Sequence, residues 1–574
     1  VVGPRRSYTA VGVVLLVCLV ASACTAAPAP PLVAAPAART SLRPPPDTQQ
    51  LVVGVDGIGG GYNPHELSDQ SSVTTALSTL LLPSVFRTAP DGTPQLDHNL
   101  MVSAQVTDAS PFTVTYQVRT DATWSDGTPI DAADFVYLRG QLTGQPGVVD
   151  SAGYQLISGI TARDNAKTIT VTFAKAYPAW RSLFSDLLPA HLLKDAPGGF
   201  ANALNDSFPA TAGPFDIKTL DVGGGEIVLE RSDRYWGTPS LLDQILLRKS
   251  DTASMADALH SNADQLAFGR VDKDGLAALR DLGRTVELTS VPRPENAVLL
   301  LRPGAPQLAD QSVREAVAAA VDRPKLIRAG TGDGPSAKLV ADSLVTAPSQ
   351  AGYVRSMPKS APGAAPRLNQ VSSLLAQAGY AKTGSKWTRD GHTLDLVIAA
   401  PAGRPPYDAI ATALRSQLEA AGIPATVVTP SPTQLYQQLL TASPTVSNGG
   451  SAGGTKPIDI LVGPQPTGGD PATELASWFG CSASATAAEP VSSSPLGWCD
   501  TAVQSTVQAA LTGTMPLTTA LAKVEPALWA QAVEIPLFQV SDELAVGPSV
   551  AGVDAGPPFA GPFFGAAEWG RTSG

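Results

Sequence analysis

Side chains able to do covalent or metal chemistry are few and dispersed in this chain. Five histidines, His65, His98, His191, His260 and His392, stand apart from one another. None falls in an HExxH pair or beside a cysteine pair, so a metal site has little support in the sequence. A GxSxG pattern occurs once, at Gly449, Ser451 and Gly453. A nucleophile elbow needs a buried strand before its serine and a helix after it. Here SNGG precedes and GTKP follows, which is linker composition, so Ser451 is not read as a nucleophile. No GxxxxGK[ST] phosphate loop is present, and the GIGGG of residues 57–61 does not fit GxGxxG. No catalytic residue, metal or cofactor is expected.

The cysteines carry more information. There are four, Cys18, Cys24, Cys481 and Cys499. Arg5 and Arg6 precede an apolar run, Val11 to Val20, and the small residues Ala21, Ser22 and Ala23 stand directly before Cys24. This is the layout of a secretory signal, and its end resembles a bacterial lipobox, with Ala21 where leucine is usual. Cleavage there would leave Cys24 diacylated at the new N-terminus. The Ala- and Pro-rich stretch that follows lacks helical or strand periodicity and suits an extended tether. Two acyl chains, at about 0.8 kcal/mol per buried CH₂, would hold the protein on the outer face of the membrane. Cys481 and Cys499 then remain as a pair in an oxidising compartment. A disulfide is the natural reading, with two free thiols as the alternative, and it would close the otherwise weakly held loop CSASATAAEPVSSSPLGWC.

The body must position the remaining polar residues. The chain has 574 residues, 43% hydrophobic and 16% charged, with a net charge of −11. That length exceeds one core, and the acidic balance argues against nucleic acid as a partner. Leu51–Val55, Thr113–Val118, Thr168–Phe173, Ile227–Glu230 and Ile245–Arg248 read as strands. Asp131 with Asp134 marks a helix cap ahead of Phe135, Leu138 and Leu142. Further on, Val313, Ala316, Val317, Ala320 and Val321 mark an amphipathic helix. Residues 394–400, 408–421 and 425–429 form a β-α-β unit whose strands should be parallel, and Ile458–Val462 is another buried strand. No internal repeat is visible.

Eight blocks in order resemble extracellular solute-binding proteins of family 5, the oligopeptide, dipeptide and nickel binders of ABC importers. They are ATWSDGTPIDAADFVY (122–137), LLPAHLL (187–193), AGPFDIKTL (212–220), ERSDRYWG (230–237), DQSVREAVAAAVDRPKLI (310–327), SSLLAQAGY (372–380), LRSQLEAAGI (414–423) and GGDPATELASWFGC (468–481). The resemblance implies an α/β, two-lobed periplasmic-binding-protein-like fold (class II, cluster C) with an extra subdomain in the first lobe. It divides the chain into a lipoprotein signal peptide (1–23) and a lipidated cysteine with tether (24–50). The N-terminal lobe is 51–290, with an inserted subdomain at about 70–195, completed by about 535–574. The C-terminal lobe is 291–534.

The same resemblance supplies candidate cleft residues. Dipeptide binders hold the ligand's amino group with an aspartate three positions before the DP aspartate, and Thr467 stands there. Arg404, in GRPPY, matches their carboxylate-binding arginine and suits a bidentate anion contact. Gly468 and Gly469 allow close backbone approach; they join Thr467 and Asp470 as cleft candidates, with Tyr62 and Asn63 after the glycine turn of the first lobe. Trp124, Trp180, Trp236, Trp478 and Trp498 offer faces for stacking on sugar rings or for core packing. The resemblance implies short peptides or another small polar molecule as ligand, while QPGVVDSAGY (145–154) and YPAWRSLFSDLLPAHLLKDAPGGF (177–200), similar to a lipoprotein branch of the family linked with lipoglycan assembly, imply a glycolipid such as a phosphatidylinositol mannoside. An ABC permease or a membrane glycosyltransferase is the expected partner of an extracytoplasmic monomer tethered by lipid.

Overall fold

The computed structural model describes residues 49–441, 457–482, 491–492 and 494–572. Cys24 and Ser451 lie outside them. Ten strands form the central sheet: β1 (Gln50–Val55), β2 (Phe215–Asp221), β3 (Glu226–Arg231), β4 (Gln244–Lys249), β5 (Leu266–Gly269), β6 (Glu287–Leu301), β7 (Leu396–Ala399), β8 (Ala425–Val428), β9 (Ile460–Pro466) and β10 (Glu534–Val546). Their order is β8-β7-β9-β6-β10-β5-β1-β4-β3-β2. β7 and β8 pair in parallel around the helix Tyr407–Ala420, in accord with the β-α-β pattern.

The two longest strands, β6 and β10, carry the chain between an α/β half at each end of the sheet. The later residues of β6 pair with β9 and those of β10 with β5, while β6 and β10 pair with each other. β10 is buried at every position except its last, as expected of a strand covered on both faces. Their register breaks between Pro292 and Asn296. At that break Arg293 pairs with Asp542 (2.5 Å) and reaches Asp56 (3.4 Å), so a buried ion cluster sits where the two halves meet.

One core, containing Leu299, Val317, Leu326, Leu414 and Ile460, fills the half built on β7–β9. Another, containing Leu51, Phe135, Phe184, Leu229 and Trp529, runs through the first half and onto the helices after residue 470. A separate four-stranded antiparallel sheet, Met101–Ala109, Phe112–Val118, Thr168–Phe173 and Ile157–Arg163 in spatial order, lies within the first half. The helix Ala132–Gly144 packs nearby and is started by the expected box: Asp131 accepts from the Ala133 amide, and Asp134 accepts from the Asp131 amide. Cys481 and Cys499 are disulfide-bonded. Among the described residues, no helix is long and apolar enough to cross a membrane.

Candidate ligand-binding site

β9 runs antiparallel to β6, and the Thr467 amide extends that ladder by donating to the Pro294 carbonyl at 2.9 Å. The chain then turns at Gly468, whose φ of +93° and contact with the Phe559 ring both require a residue without a Cβ. Asp470 caps the next helix, Pro471–Phe479, accepting from the Thr473 amide and hydroxyl. Thr467 to Asp470 are therefore held by a strand on one side and a capped helix on the other.

These four residues line a cavity of about 590 Å³, within the usual size range of small-molecule sites. Phe559 and Thr473 belong to the same wall region, and the first half supplies His65, Arg87, Asp150, Tyr154, Arg181 and Asp186. His65 Nε2 donates to the Asp186 carbonyl at 2.9 Å, which fixes the proton on that nitrogen. Burial favours the neutral imidazole, against the pull of Asp186. Arg87 is paired with Asp97 at 2.6 Å. Arg181 lies 4.4 Å over the Trp180 ring and makes no ion pair among the described residues.

The structure separates the remaining candidates from this cavity. Asn63 is fully buried. Its amide donates to Asp69, its side-chain nitrogen to the Phe200 carbonyl, and its oxygen accepts from the His65 amide. Tyr62 packs near Phe208, and its chain neighbours Pro64 and His65 reach the cavity instead. Burial pushes the Tyr62 phenol upward, partly opposed by the nearby Arg404 charge. Arg404 donates from its two terminal nitrogens to the Gln70 and Ser68 carbonyls, both at 2.8 Å. It ties the second half to the first through both terminal nitrogens. None of the five tryptophans lines the large cavity. Trp124, Trp180, Trp478 and Trp498 are buried, and Trp236 donates to the Asn99 carbonyl.

Asp150, Arg181, Glu474 and Phe559 are among the residues that sequence reasoning missed. Glu474 lay inside the recognised 468–481 block, but Asp150 and Phe559 reach the site only through the fold. Glu474 accepts from the Gly469 amide at 2.6 Å. Burial, then the neighbouring Asp150, raises its carboxyl well above the ordinary range. Burial, then Asp470, pushes Asp150 up to about 6. The Thr467 hydroxyl is buried and has no hydrogen-bond partner. The arrangement can bind a polar molecule. It offers no paired nucleophile and base, and among the described residues no cluster of His, Cys, Asp or Glu is placed to hold a metal ion.

The chain is 34% identical, over 99% of both sequences, to the "Probable monoacyl phosphatidylinositol tetramannoside-binding protein LpqW" of Mycobacterium tuberculosis. It is 31% identical to the oligopeptide-binding protein OppA of the same species over 46% of each chain. The Bacillus subtilis oligopeptide-binding protein AppA, solved with a nonapeptide, superposes with a TM-score of 0.73 at 15% identity, covering 92% of this chain and 100% of that one. Such two-lobed binding proteins share its fold. Residues 98–482 match the family model for bacterial extracellular solute-binding proteins, family 5, and the chain belongs to that family.

Proposed function

We propose that this chain is an extracytoplasmic binding lipoprotein, tethered through Cys24. It would close its lobes over a polar cell-envelope precursor of the phosphatidylinositol mannoside type and serve lipoglycan assembly. The observation that carries this reading is the match to LpqW along 99% of both chains. Two features of the cavity support it: the amine-binding position of dipeptide binders holds uncharged Thr467, and Arg181 offers a cation to an anionic head group. We assign residues 51–290 with 535–574 to one lobe, including an insertion at about 70–195, and 291–534 to the other. In this reading the protein binds rather than catalyses and acts as a monomer. A second reading, receptor of an ABC peptide importer, draws on the partial identity to OppA.

Native mass spectrometry of the mature body, purified from a lipoglycan-making host, tests both. A co-purifying glycolipid whose retention falls in Arg181→Ala supports the first. A ladder of short peptides overturns it in favour of the second. An empty protein that neither ligand class stabilises removes both and leaves a scaffold acting on a membrane glycosyltransferase.

A further inference from the structure

Beside the large cavity lies a second, smaller chamber of about 20 Å³, sharing Val149, Asp150 and Pro466 with it. That is room for one water-sized group. Its polar wall includes the acceptor side chains Asp150, Gln465 and Glu474 beside the engaged hydroxyls of Ser477 and Ser494. A carbon placed as Cβ on Gly469 would lie 3.3 Å from Glu474 Oε1 and 3.7 Å from Asp150 Oδ2, so the two carboxylates meet on one side of that glycine. Glu474 Oε2 is buried without a hydrogen-bond partner. Neither carboxylate makes an ion pair among the described residues.

An independent side chain points the same way. Gln465 is 2% exposed, and its Nε2 donates to the Leu344 carbonyl at 2.8 Å. A carbonyl can only accept, so the amide orientation is set and Oε1 is the atom left for another partner. Oε1 also has no partner. Three acceptor groups, two of them carboxyls, thus border a space for one small group. Water has two O–H donors and no charge, whereas an ammonium group has more N–H donors and the charge that buried carboxylates lack. Among the described residues, no group of three or more His, Cys, Asp or Glu is placed to hold a metal ion.

We propose that this chamber binds a single ammonium group between Asp150 of the first half and Gln465 and Glu474 of the second. The group is free ammonium or the terminal amine of a molecule whose body lies in the large cavity. The inference goes beyond the function proposed above and stands whichever molecule fills that cavity. It uses side chains other than Thr467. Because its acceptors come from both halves, the bound cation also favours their closure.

Thermal unfolding of the full mature protein in ammonium, potassium or tetramethylammonium chloride at equal ionic strength tests it. Tetramethylammonium carries the same charge without an N–H donor. The expected result is a saturable rise in Tm of about 2 °C with ammonium only. The rise should be lost in Glu474→Gln and strengthened in Gln465→Glu, which adds the charge. A series from methylamine to hexylamine separates the sources. A rise that persists with chain length assigns the amine to a larger ligand, and one confined to ammonium assigns a free ion. An equal response to all three salts overturns the proposal, as does an equal response to potassium and ammonium. So does an ammonium response that survives Asp150→Asn, a half-buried position that also serves should Glu474→Gln fail to fold.

Discussion

Replacing Arg404 separates two roles, a tie between the halves and a contact to an anionic ligand. Both of its terminal nitrogens donate to backbone carbonyls of the other half, Gln70 and Ser68, at 2.8 Å. A hydrogen bond from a charged donor contributes about 1.5 kcal/mol at the lower end of its range, the appropriate end for a half-exposed side chain. Two such bonds hold the halves together by about 3 kcal/mol, and each 1.4 kcal/mol is tenfold. Arg404→Ala should therefore lower the closed-to-open ratio of the ligand-free protein by about 100-fold. Other ties remain, including Tyr177 to Thr473 (2.8 Å) and Gln437 to Glu66 (2.5 Å), so the closed form is weakened rather than abolished. Arg404→Lys keeps the charge but loses the fork, and should fall between the two. Single-molecule FRET between dyes on the two lobes, supported by small-angle scattering, measures the ratio directly. An unchanged distance distribution together with lost binding of an anionic ligand would refute the latch and restore Arg404 to the cleft.

Three further outcomes follow from local geometry. Gly468→Ala must place a Cβ 2.7 Å from the Phe559 ring at a φ of +93°, so it should cost about 2–3 kcal/mol and lower Tm, whereas Gly469→Ala, at ordinary φ, should cost clearly less; calorimetry of the pair checks this. Burial pushes the Glu534 carboxyl up to about 8, only partly offset by the Trp478 indole N–H at 2.7 Å. The folded state thus holds this proton more tightly than the unfolded chain. Its contribution is complete below the unfolded value of 4.5 and is lost as pH rises through about 8, at up to about 1.4 kcal/mol per pH unit. Glu534→Gln should flatten the decline in Tm between pH 5 and 8, and an unchanged slope would disprove it. Reducing Cys481–Cys499, 18 positions apart, should destabilise by about 3 kcal/mol, read as a lower denaturant midpoint under dithiothreitol.

The parts of this molecule legible in its sequence are those decided by neighbours in the chain. Thr168–Phe173 alternates because one face is buried, and it forms the strand with those bounds. Asp131 and Asp134 cap a helix because their spacing reaches the free amides. Thr467 to Asp470 line the cavity because a strand end, a turn and a helix cap are contiguous there. Arg404 failed as a cavity residue because its partners, Ser68 and Gln70, are carbonyls brought over by the fold, and no pattern of side chains announces a backbone acceptor. Asn63 failed for a related reason: a buried asparagine satisfied by its own turn and by the distant Phe200 carbonyl looks, in sequence, like one aimed at a ligand.

The electrostatics of the cavity give these placements a common consequence. Arg87 is neutralised by Asp97, and burial favours a neutral His65, so Arg181 is the cation left to act on a ligand from the first half. Asp150, Asp470 and Glu474 gather around Gly469. A ligand carrying an anion would meet its cation at Arg181, and one rich in donors would meet acceptors around Gly469. With Arg404 engaged elsewhere, exchanging the sign at position 181 should alter which ligands bind, while exchanging it at 404 should alter how readily the lobes close.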